Sequence, residues 1–263
     1  MKNKIHLSIV SHGQGAIVLN LLNDLKISAK NNVLVVTLTL NIDETLPFDT
    51  EDFPFPIRIT TNTVPKGFGE NHNSAFHKFH DDSYHYCVIN PDIRFYQDPF
   101  SALILCLKNT SASLVAPLVL GESGEIEDSI RHFPTPLKIL CKVIGRCKGG
   151  DYEIYNKPVF PDWVGGMFML FPSDIFKQLG GFNEKYFLYY EDVDLCARLR
   201  LRGHEVVACP EVKVIHEARR DSHRRYKYLK WHLVSMARFF SSTVFIKISC
   251  RKLTGRIGQP SGL

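Results

Sequence analysis

Several features that would assign a chain quickly are missing from this one. Its seven cysteines, at positions 87, 106, 141, 147, 196, 209 and 250, include no C-x-x-C pair. An odd count without that spacing argues against a disulfide framework and a structural zinc site, and it fits a reducing cytosol. No stretch approaches the ~20 consecutive apolar residues that a bilayer span needs. The apolar run in the opening residues Met1 to Ser11 is too short and interrupted for a signal peptide, and reads as a first strand. The dinucleotide fingerprint G-x-G-x-x-G, internal repeats and low-complexity tracts are absent as well.

What is present is a core-forming sequence: 263 residues with 44% hydrophobic content suit one large α/β domain, with or without a helical tail. Strand-like and helix-like segments alternate in the first half. Ile5–Ser11, 33–40, Ile57–Thr61 and 86–89 read as strands, and the stretches through Leu21 and through 71–79 read as helices. That order predicts a parallel sheet with crossover helices, in which ligands gather at the carboxyl ends of strands. Residues 121–160, with scattered Gly and Pro, read as a mobile insertion. Residues 163–170 predict a strand, and a short helix follows with Ser173 as N-cap and Gly180 as stop. Two later strands are expected at 206–208 and 212–215.

Four motifs carry candidate chemistry. Lys66, Gly67, Phe68 and Gly69 lie between a strand and a helix, where glycines allow close backbone approach and helix N–H groups suit a phosphate. A plain turn explains them equally. Asn90-Pro-Asp92 ends a buried strand and offers an amide and a carboxylate to a hard cation, or an Asx turn. His216 ends a later strand, where a histidine is either structural or a metal ligand. Glu191, Asp192 and Asp194 crowd the first turn of a helix, as capping acids or as site carboxylates.

The order of these motifs resembles the family 2 glycosyltransferases of the nucleotide-sugar-binding A-type fold. Within them the chain is most similar to bacterial rhamnosyltransferases of O-antigen and related cell-surface polysaccharides. The resemblance covers residues 5 to about 240. It rests on Ile9-Val-Ser-His12, Lys66-Gly-Phe-Gly-Glu-Asn-His-Asn73, Asn90-Pro-Asp92, Ser129-Ile-Arg-His-Phe-Pro134, Trp163-Val-Gly-Gly166, Gly180-Gly-Phe-Asn-Glu184, Tyr190-Glu-Asp-Val-Asp-Leu-Cys196 and His216. It implies a Rossmann-like, mostly parallel central sheet flanked by helices, followed by a C-terminal amphipathic helical segment.

The resemblance also implies an inverting transfer. Asp192 would be the catalytic base, with Glu191 orienting it or the acceptor and Asp194 left as a capping acid. Asp92 and His216 would hold a divalent cation (Mg or Mn), with Asn90 standing where the family's metal-binding element has its first aspartate. Ser11, Lys66, Gly67, Phe68, Gly69, Asn73, Asn90 and Arg131 would meet the nucleotide-sugar donor, and Trp163, Gly165 and Gly166 the acceptor. The family's base-contacting aspartates after the second strand are poorly matched by Thr39-Leu-Asn41-Ile-Asp43, so base selectivity is left open between Asn41, Asp43 and neither.

Residues 1–218 are expected to form the catalytic domain, with a nucleotide-sugar half at about 1–95 and an acceptor half at about 96–218. Residues 219–263 would form a basic tail in which Arg219, Arg220, Arg224, Arg225, Lys227, Lys230 and Arg238 interleave with aromatic residues. The tail is either an interfacial membrane helix or a helix packed on the domain with a solvated basic side. Without a recognisable module, nucleic acid is not an expected partner. The expected reaction moves rhamnose from dTDP-rhamnose to a lipid-diphosphate-linked saccharide at the cytoplasmic face of the inner membrane. Transfer of galactofuranose, glucose or an amino sugar, or a non-catalytic sugar- or lipid-binding role, are the alternatives.

Overall fold

The computed structural model describes residues 2–79, 84–144, 150–217 and 225–253. Its centre is an eight-stranded sheet in the order β3-β2-β1-β4-β9-β6-β10-β5. The strands are β1 (Asn3–Ser11), β2 (Asn32–Leu40), β3 (Ile57–Thr61), β4 (His85–Ile89), β5 (Ile93–Arg94), β6 (Leu114–Gly121), β9 (Phe168–Pro172) and β10 (Val206–His216). The first four are mutually parallel, β9 runs antiparallel between β4 and β6, and β10 lies parallel to β6. A two-stranded ribbon, β7 (Ile130–Arg131) with β8 (Trp163–Val164), stands apart from it.

The period-2 alternation of the strands explains the layering. Cys87 and Ile89 of β4 enter a core on one sheet face with Ile5, Leu7 and Ile9 of β1 and with helix α1 (Gly15–Ser28). Tyr86 and Val88 enter the opposite core with Phe176 of α5 (Ser173–Leu179) and Leu195 of α6 (Glu191–Leu201). Each fully buried Leu, Ile or Phe stabilises the fold by roughly 1.5–3 kcal/mol. Both layers therefore hold the sheet firmly, and the carboxyl ends of β1, β2 and β4 form one edge where a ligand can sit.

Several boundaries differ from expectation for visible reasons. The single strand expected at 163–170 is two, because the chain turns at Gly165 and Gly166 between β8 and β9. The strands expected at 206–208 and 212–215 are one, β10, with a bulge between Cys209 and Lys213. That bulge faces Pro117 in β6, so the missing proline N–H falls where the ladder is already interrupted. The helix expected at 71–79 starts earlier, α2 being Phe68–Phe79, and α5 is capped at Pro172 rather than Ser173, though Gly180 does end it with a left-handed φ of 77°. Within 121–160 the described residues include α4 (Pro136–Val143). Helix α3 (Pro99–Thr110) carries the connection from β5 to β6.

The C-terminal segment is built into the domain. Helices α7 (Arg225–Phe240) and α8 (Thr243–Leu253) bury Phe239 and Ile248 in the second core. Arg219, Arg220 and Arg224 lie outside the described residues. No single helix among the described residues is long and apolar enough to cross a membrane, and α7 and α8 bend by 61° at the break between them.

Candidate active site

The site begins where β4 stops. The Asn90 N–H donates to the Met167 carbonyl at 2.9 Å, which ties the end of β4 to the turn between β8 and β9. One residue earlier in that turn, the Gly166 N–H donates to Asp192 Oδ2 at 3.1 Å. The putting together of Asn90-Pro-Asp92 and Asp192 is thus a matter of two backbone hydrogen bonds through residues 166 and 167. Gly166 is needed for closeness: a Cβ there would stand 3.3 Å from the Phe68 ring and 3.7 Å from Asp192 Cβ.

The three carboxylates at the start of α6 have separate fates. Asp192 is partly exposed, and its Oδ1 accepts from the Val193 N–H at 2.8 Å. Burial raises its pKa to about 6, although the hydrogen bonds from Val193 and Gly166 and the nearby Arg131 charge all pull downward. Glu191 is buried, and desolvation together with the Asp192 charge pushes its pKa well above the usual carboxylate range. At neutral pH Asp192 therefore carries its charge beside an acid shifted toward its protonated form, and a charged carboxylate is the state a general base needs.

Asp194 does not cap the helix. It is fully buried and its Oδ2 accepts from Arg198 Nε at 2.7 Å. Arg198 in turn donates to the carbonyls of Leu179 and Gly181, so this pair fastens α6 to the end of α5. The residue before α6 is Tyr190, at φ 68° and without a side-chain cap, and Tyr189 precedes it at φ 69°. Two consecutive left-handed non-glycine residues cost on the order of 1–3 kcal/mol each and must be held by their surroundings.

Helix α7 holds them. Tyr190 packs its ring on Phe239 and His232, Tyr189 meets His232, and Phe187 stacks on Trp231 at 4.7 Å. The Ser235 hydroxyl donates to the Leu188 carbonyl at 2.8 Å. Beside this clamp opens a cleft of about 440 Å³, with Asp192, Tyr190 and His232 on its walls and Arg131, Trp163 and Lys138 facing them. Arg131 sits 5.7 Å over the Trp163 ring and pairs with Asp128, while its buried Nε has no hydrogen-bond partner. Trp163 Nε1 donates to the His132 carbonyl at 3.0 Å. Aromatic faces, a cation and a partly exposed carboxylate in one cleft are what binding a sugar and removing its hydroxyl proton require.

At the other side of the β4 end, antiparallel pairing of β5 with β10 sets Ile93 against His216. His216 Nε2 lies 3.4 Å from Asp92 Oδ2, and its Nδ1 lies 3.0 Å from Glu127 Oε2. Burial alone would lower the imidazole pKa, but the two carboxylates outweigh it and the net shift is upward. Asp92 Oδ1 is buried with no hydrogen-bond partner among the described residues. An unpartnered carboxylate oxygen beside an imidazole nitrogen fits a cation. Among the described residues no cluster of three or more His, Cys, Asp or Glu forms a preformed cage. Two protein ligands suit an ion whose other ligands come from a bound diphosphate.

The remaining expected donor residues divide. Ser11 Oγ accepts from the Gln14 N–H at 3.1 Å at the end of β1. Lys66 pairs with Glu70 at 3.1 Å and keeps a partly exposed side chain near that edge. Asn73 is instead buried in the fold: its amide donates to the Phe182 carbonyl and to Glu184 and accepts from the Phe182 N–H, all within 2.9 Å. Gly67 and Gly69 serve packing, since a Cβ at either would press on Phe187 backbone at 2.8 Å or Phe182 at 2.6 Å. Phe68 packs between His72, Phe182 and Gly166. Asn41 has both ends of its amide committed to the Lys66 backbone and to Asn62, and Asp43 is exposed. Trp163 lies on the cleft wall as expected for an acceptor contact, and Gly165 donates its N–H to the Ser129 carbonyl at 2.8 Å.

Glu127, Tyr189 and His232 were not visible as site residues in the sequence. Glu127 stands two residues before the Ser129–Pro134 motif with no spacing signal of its own, and His232 lies in what reads as a tail.

Known proteins bear on this geometry. A family model described as "Glycosyltransferase like family 2" matches residues 160–232, which carry the turn at 165–166, α6 and the start of α7. Rhamnosyltransferase WbbL of Escherichia coli (strain K12) is 32% identical over 187 residues, 66% of this chain and 70% of that protein. The N-acetylglucosaminyl-diphospho-decaprenol L-rhamnosyltransferase of Mycobacterium tuberculosis (strain H37Rv) is 30% identical over 141 residues, 49% of this chain and 45% of that protein. Among solved structures, GalNAc-T7 with UDP, GalNAc and Mn2+ superposes with a TM-score of 0.63 at 12% identity, over 84% of this chain and 45% of that one, which speaks for the fold. With 32% identity across 70% of the E. coli protein and an A-type fold, the chain belongs to glycosyltransferase family 2, and it is similar to these rhamnosyltransferases.

Proposed function

We propose that the enzyme transfers rhamnose from dTDP-rhamnose onto a lipid-diphosphate-linked sugar, in the assembly of O-antigen or a related cell-surface polysaccharide. The observation that carries the reading is Asp192, partly exposed in an aromatic and basic cleft with its pKa raised to about 6 by burial. The names of the two relatives support rhamnose as the sugar and, for the mycobacterial one, a polyprenyl-diphosphate acceptor.

In this reading the acceptor sugar enters the cleft against Trp163, Tyr190 and His232. Asp192 takes the proton of its hydroxyl as the oxygen attacks the anomeric carbon, the bond to the donor diphosphate breaks on the opposite face, and the configuration inverts. No second carboxylate nucleophile is required. Burial holds the Asp192 pKa at about 6, and burial with the Asp192 charge pushes that of Glu191 upward, so of the two acids Asp192 is the one placed to take a proton. Arg131 supplies positive charge next to the reacting groups. Asp92 and His216 are the residues that would hold Mg or Mn, and such an ion supplies positive charge to the departing diphosphate.

A membrane-surface location at the cytoplasmic face of the inner membrane belongs to the same proposal. Helix α7 packs inward through Phe239 and Ser235, yet Tyr226, Leu229 and Leu233 stay exposed on its outer side among Lys227 and Lys230. On the opposite wall of the cleft, α4 exposes Leu137 and Leu140. Unburied apolar rows next to lysines favour an anionic lipid surface, and their place at the cleft mouth suits an acceptor that is itself a lipid.

Incubation with dTDP-rhamnose, a divalent cation and a GlcNAc-diphosphate-lipid should release dTDP. Inactivity across a panel of nucleotide sugars would overturn the proposal, and release of another nucleotide alone would reassign the donor. Flotation with vesicles containing anionic lipid should recover the protein, and Leu229→Asp with Leu233→Asp should leave it at the bottom of the gradient.

A further inference from the structure

The cation reading leaves one carboxylate without a part. Glu127 lies on the connection between β6 and β7, with about a quarter of its side chain exposed, and both its oxygens approach His216 Nδ1, at 3.1 and 3.0 Å. Among the described residues the Glu127 side chain has its hydrogen bonds with His216, and its backbone is held separately by its N–H to the Val119 carbonyl at 2.9 Å.

We infer that Glu127 is a positioning residue for the cation site. A carboxylate on Nδ1 makes that nitrogen the hydrogen-bond donor, which leaves the lone pair on Nε2 and fixes the plane of the ring. Nε2 then faces Asp92 Oδ2 at 3.4 Å, close to the buried and unpartnered Asp92 Oδ1. In the neutral ring Nε2 and Asp92 Oδ2 are both acceptors, and either a proton on Nε2 or a bound cation relieves their repulsion. The arrangement has the order carboxylate, imidazole, ion, in which the outer carboxylate raises the basicity of the ligand and pre-orders it. The ladder supplies the other constraint: β5 pairs with β10, and the Glu217 N–H donates to the Asp92 carbonyl at 2.8 Å, so Asp92 and His216 are held in one register from the backbone. Glu127 adds the side-chain half of the same constraint.

The inference rests on Asp92 and His216 being cation ligands, so its test carries that reading as a separate arm. Mn2+ binding to the full chain with dTDP present is read from the loss of the free-ion electron paramagnetic resonance signal. Glu127→Ala should weaken Mn2+ about 10- to 100-fold. Glu127→Gln, which keeps an acceptor for the Nδ1 hydrogen, should recover most of that loss, and a merely structural role would show no such rescue. The melting temperature of each variant checks folding, and if Glu127→Ala fails to fold, the inference stands or falls on Glu127→Gln against Glu127→Leu. Asp92→Asn and His216→Ala are the controls. If both weaken Mn2+ and Glu127→Ala does not, the role given to Glu127 is overturned. If neither control weakens Mn2+, the cation site itself is wrong and the inference falls with it.

Discussion

Replacing Asp192 with asparagine separates the chemistry of this site from its stability. Burial lifts the Asp192 pKa from near 3.8 to about 6. Because the folded value lies above the unfolded one, the native state binds the proton more tightly. Stability is therefore greatest below about pH 4 and declines as pH rises toward 6, beyond which the cost is fully present. A shift of that size corresponds to about 3 kcal/mol, which the solvent the side chain still meets reduces to about 2 kcal/mol. Asparagine removes this cost. It also loses one of the two hydrogen bonds from the Gly166 and Val193 N–H groups, worth about 1 kcal/mol, because its –NH2 cannot accept.

The net expectation is a variant about 1 kcal/mol more stable than the parent at pH 8, a rise of roughly 2–4 °C in melting temperature. At pH 4 the order reverses, since both proteins are then neutral at this position and only the lost hydrogen bond differs. Turnover should fall by about 10²–10⁴-fold at every pH. In the parent enzyme kcat/KM should drop about tenfold per pH unit below 6. Differential scanning fluorimetry from pH 4 to 8, beside dTDP-release kinetics, tests all three. Wild-type turnover by Asp192→Asn, or melting curves that do not cross, would refute the assignment of base and of burial as the source of its pKa.

Other expectations follow from the same contacts. Glu191→Gln should keep kcat within a few-fold, since burial and the Asp192 charge already favour the uncharged form of Glu191, and a loss beyond a hundredfold would exchange the roles of the two acids. Asn73→Ala should destabilise by about 2–3 kcal/mol in thermal unfolding through its three lost hydrogen bonds, with the donor KM unchanged; a raised KM at wild-type stability would restore it to the donor site. Gly181→Ala should lower the melting temperature by several degrees or more, because φ is 67° there and a Cβ would lie 2.2 Å from Asn73 Oδ1. Phe239→Ala should cost about 3–5 kcal/mol and reduce kcat in the surviving folded fraction, as its ring backs Tyr190.

The parts of the fold that could be read in the sequence are those where one local signal was enough. Apolar runs bounded by turns located β1 to β4 within a few residues, and Gly180 marked a helix end, with a φ of 77°. Strand β6 carries Pro117, which speaks against a central strand unless the bulge in β10 is known, and that bulge is a property of the neighbouring strand. Motif order singled out Asp92, Asp192 and His216, which the fold sets at the end of β4, the start of α6 and the end of β10. It could not show that Asn73, Gly67 and Gly69 serve packing of α2 on residues 182–187, because a motif near a ligand and a motif that holds the motif near a ligand look alike along the chain. Which acid keeps its charge was illegible as well, since burial decides it and three adjacent carboxylates have one composition.

The tail shows the same limit from the other direction. Residues 219–263 read as a basic amphipathic tail, and both readings of it, on a membrane or on the domain, treat it as an appendage. The left-handed backbone at Tyr189 and Tyr190 changes that. Those two residues aim the start of α6, and with it Asp192, into the cleft, and nothing in their own sequence favours φ near 68°. The strain is offset by Trp231, His232, Ser235 and Phe239, all from one side of α7, while the opposite side of the helix leaves Tyr226, Leu229 and Leu233 to the surface. A single helix thus ties the geometry of the base to the face that would meet a lipid. Lifting α7 from the domain would strip Tyr190 of its contacts with His232 and Phe239, and with them the support of the backbone that places Asp192 in the cleft.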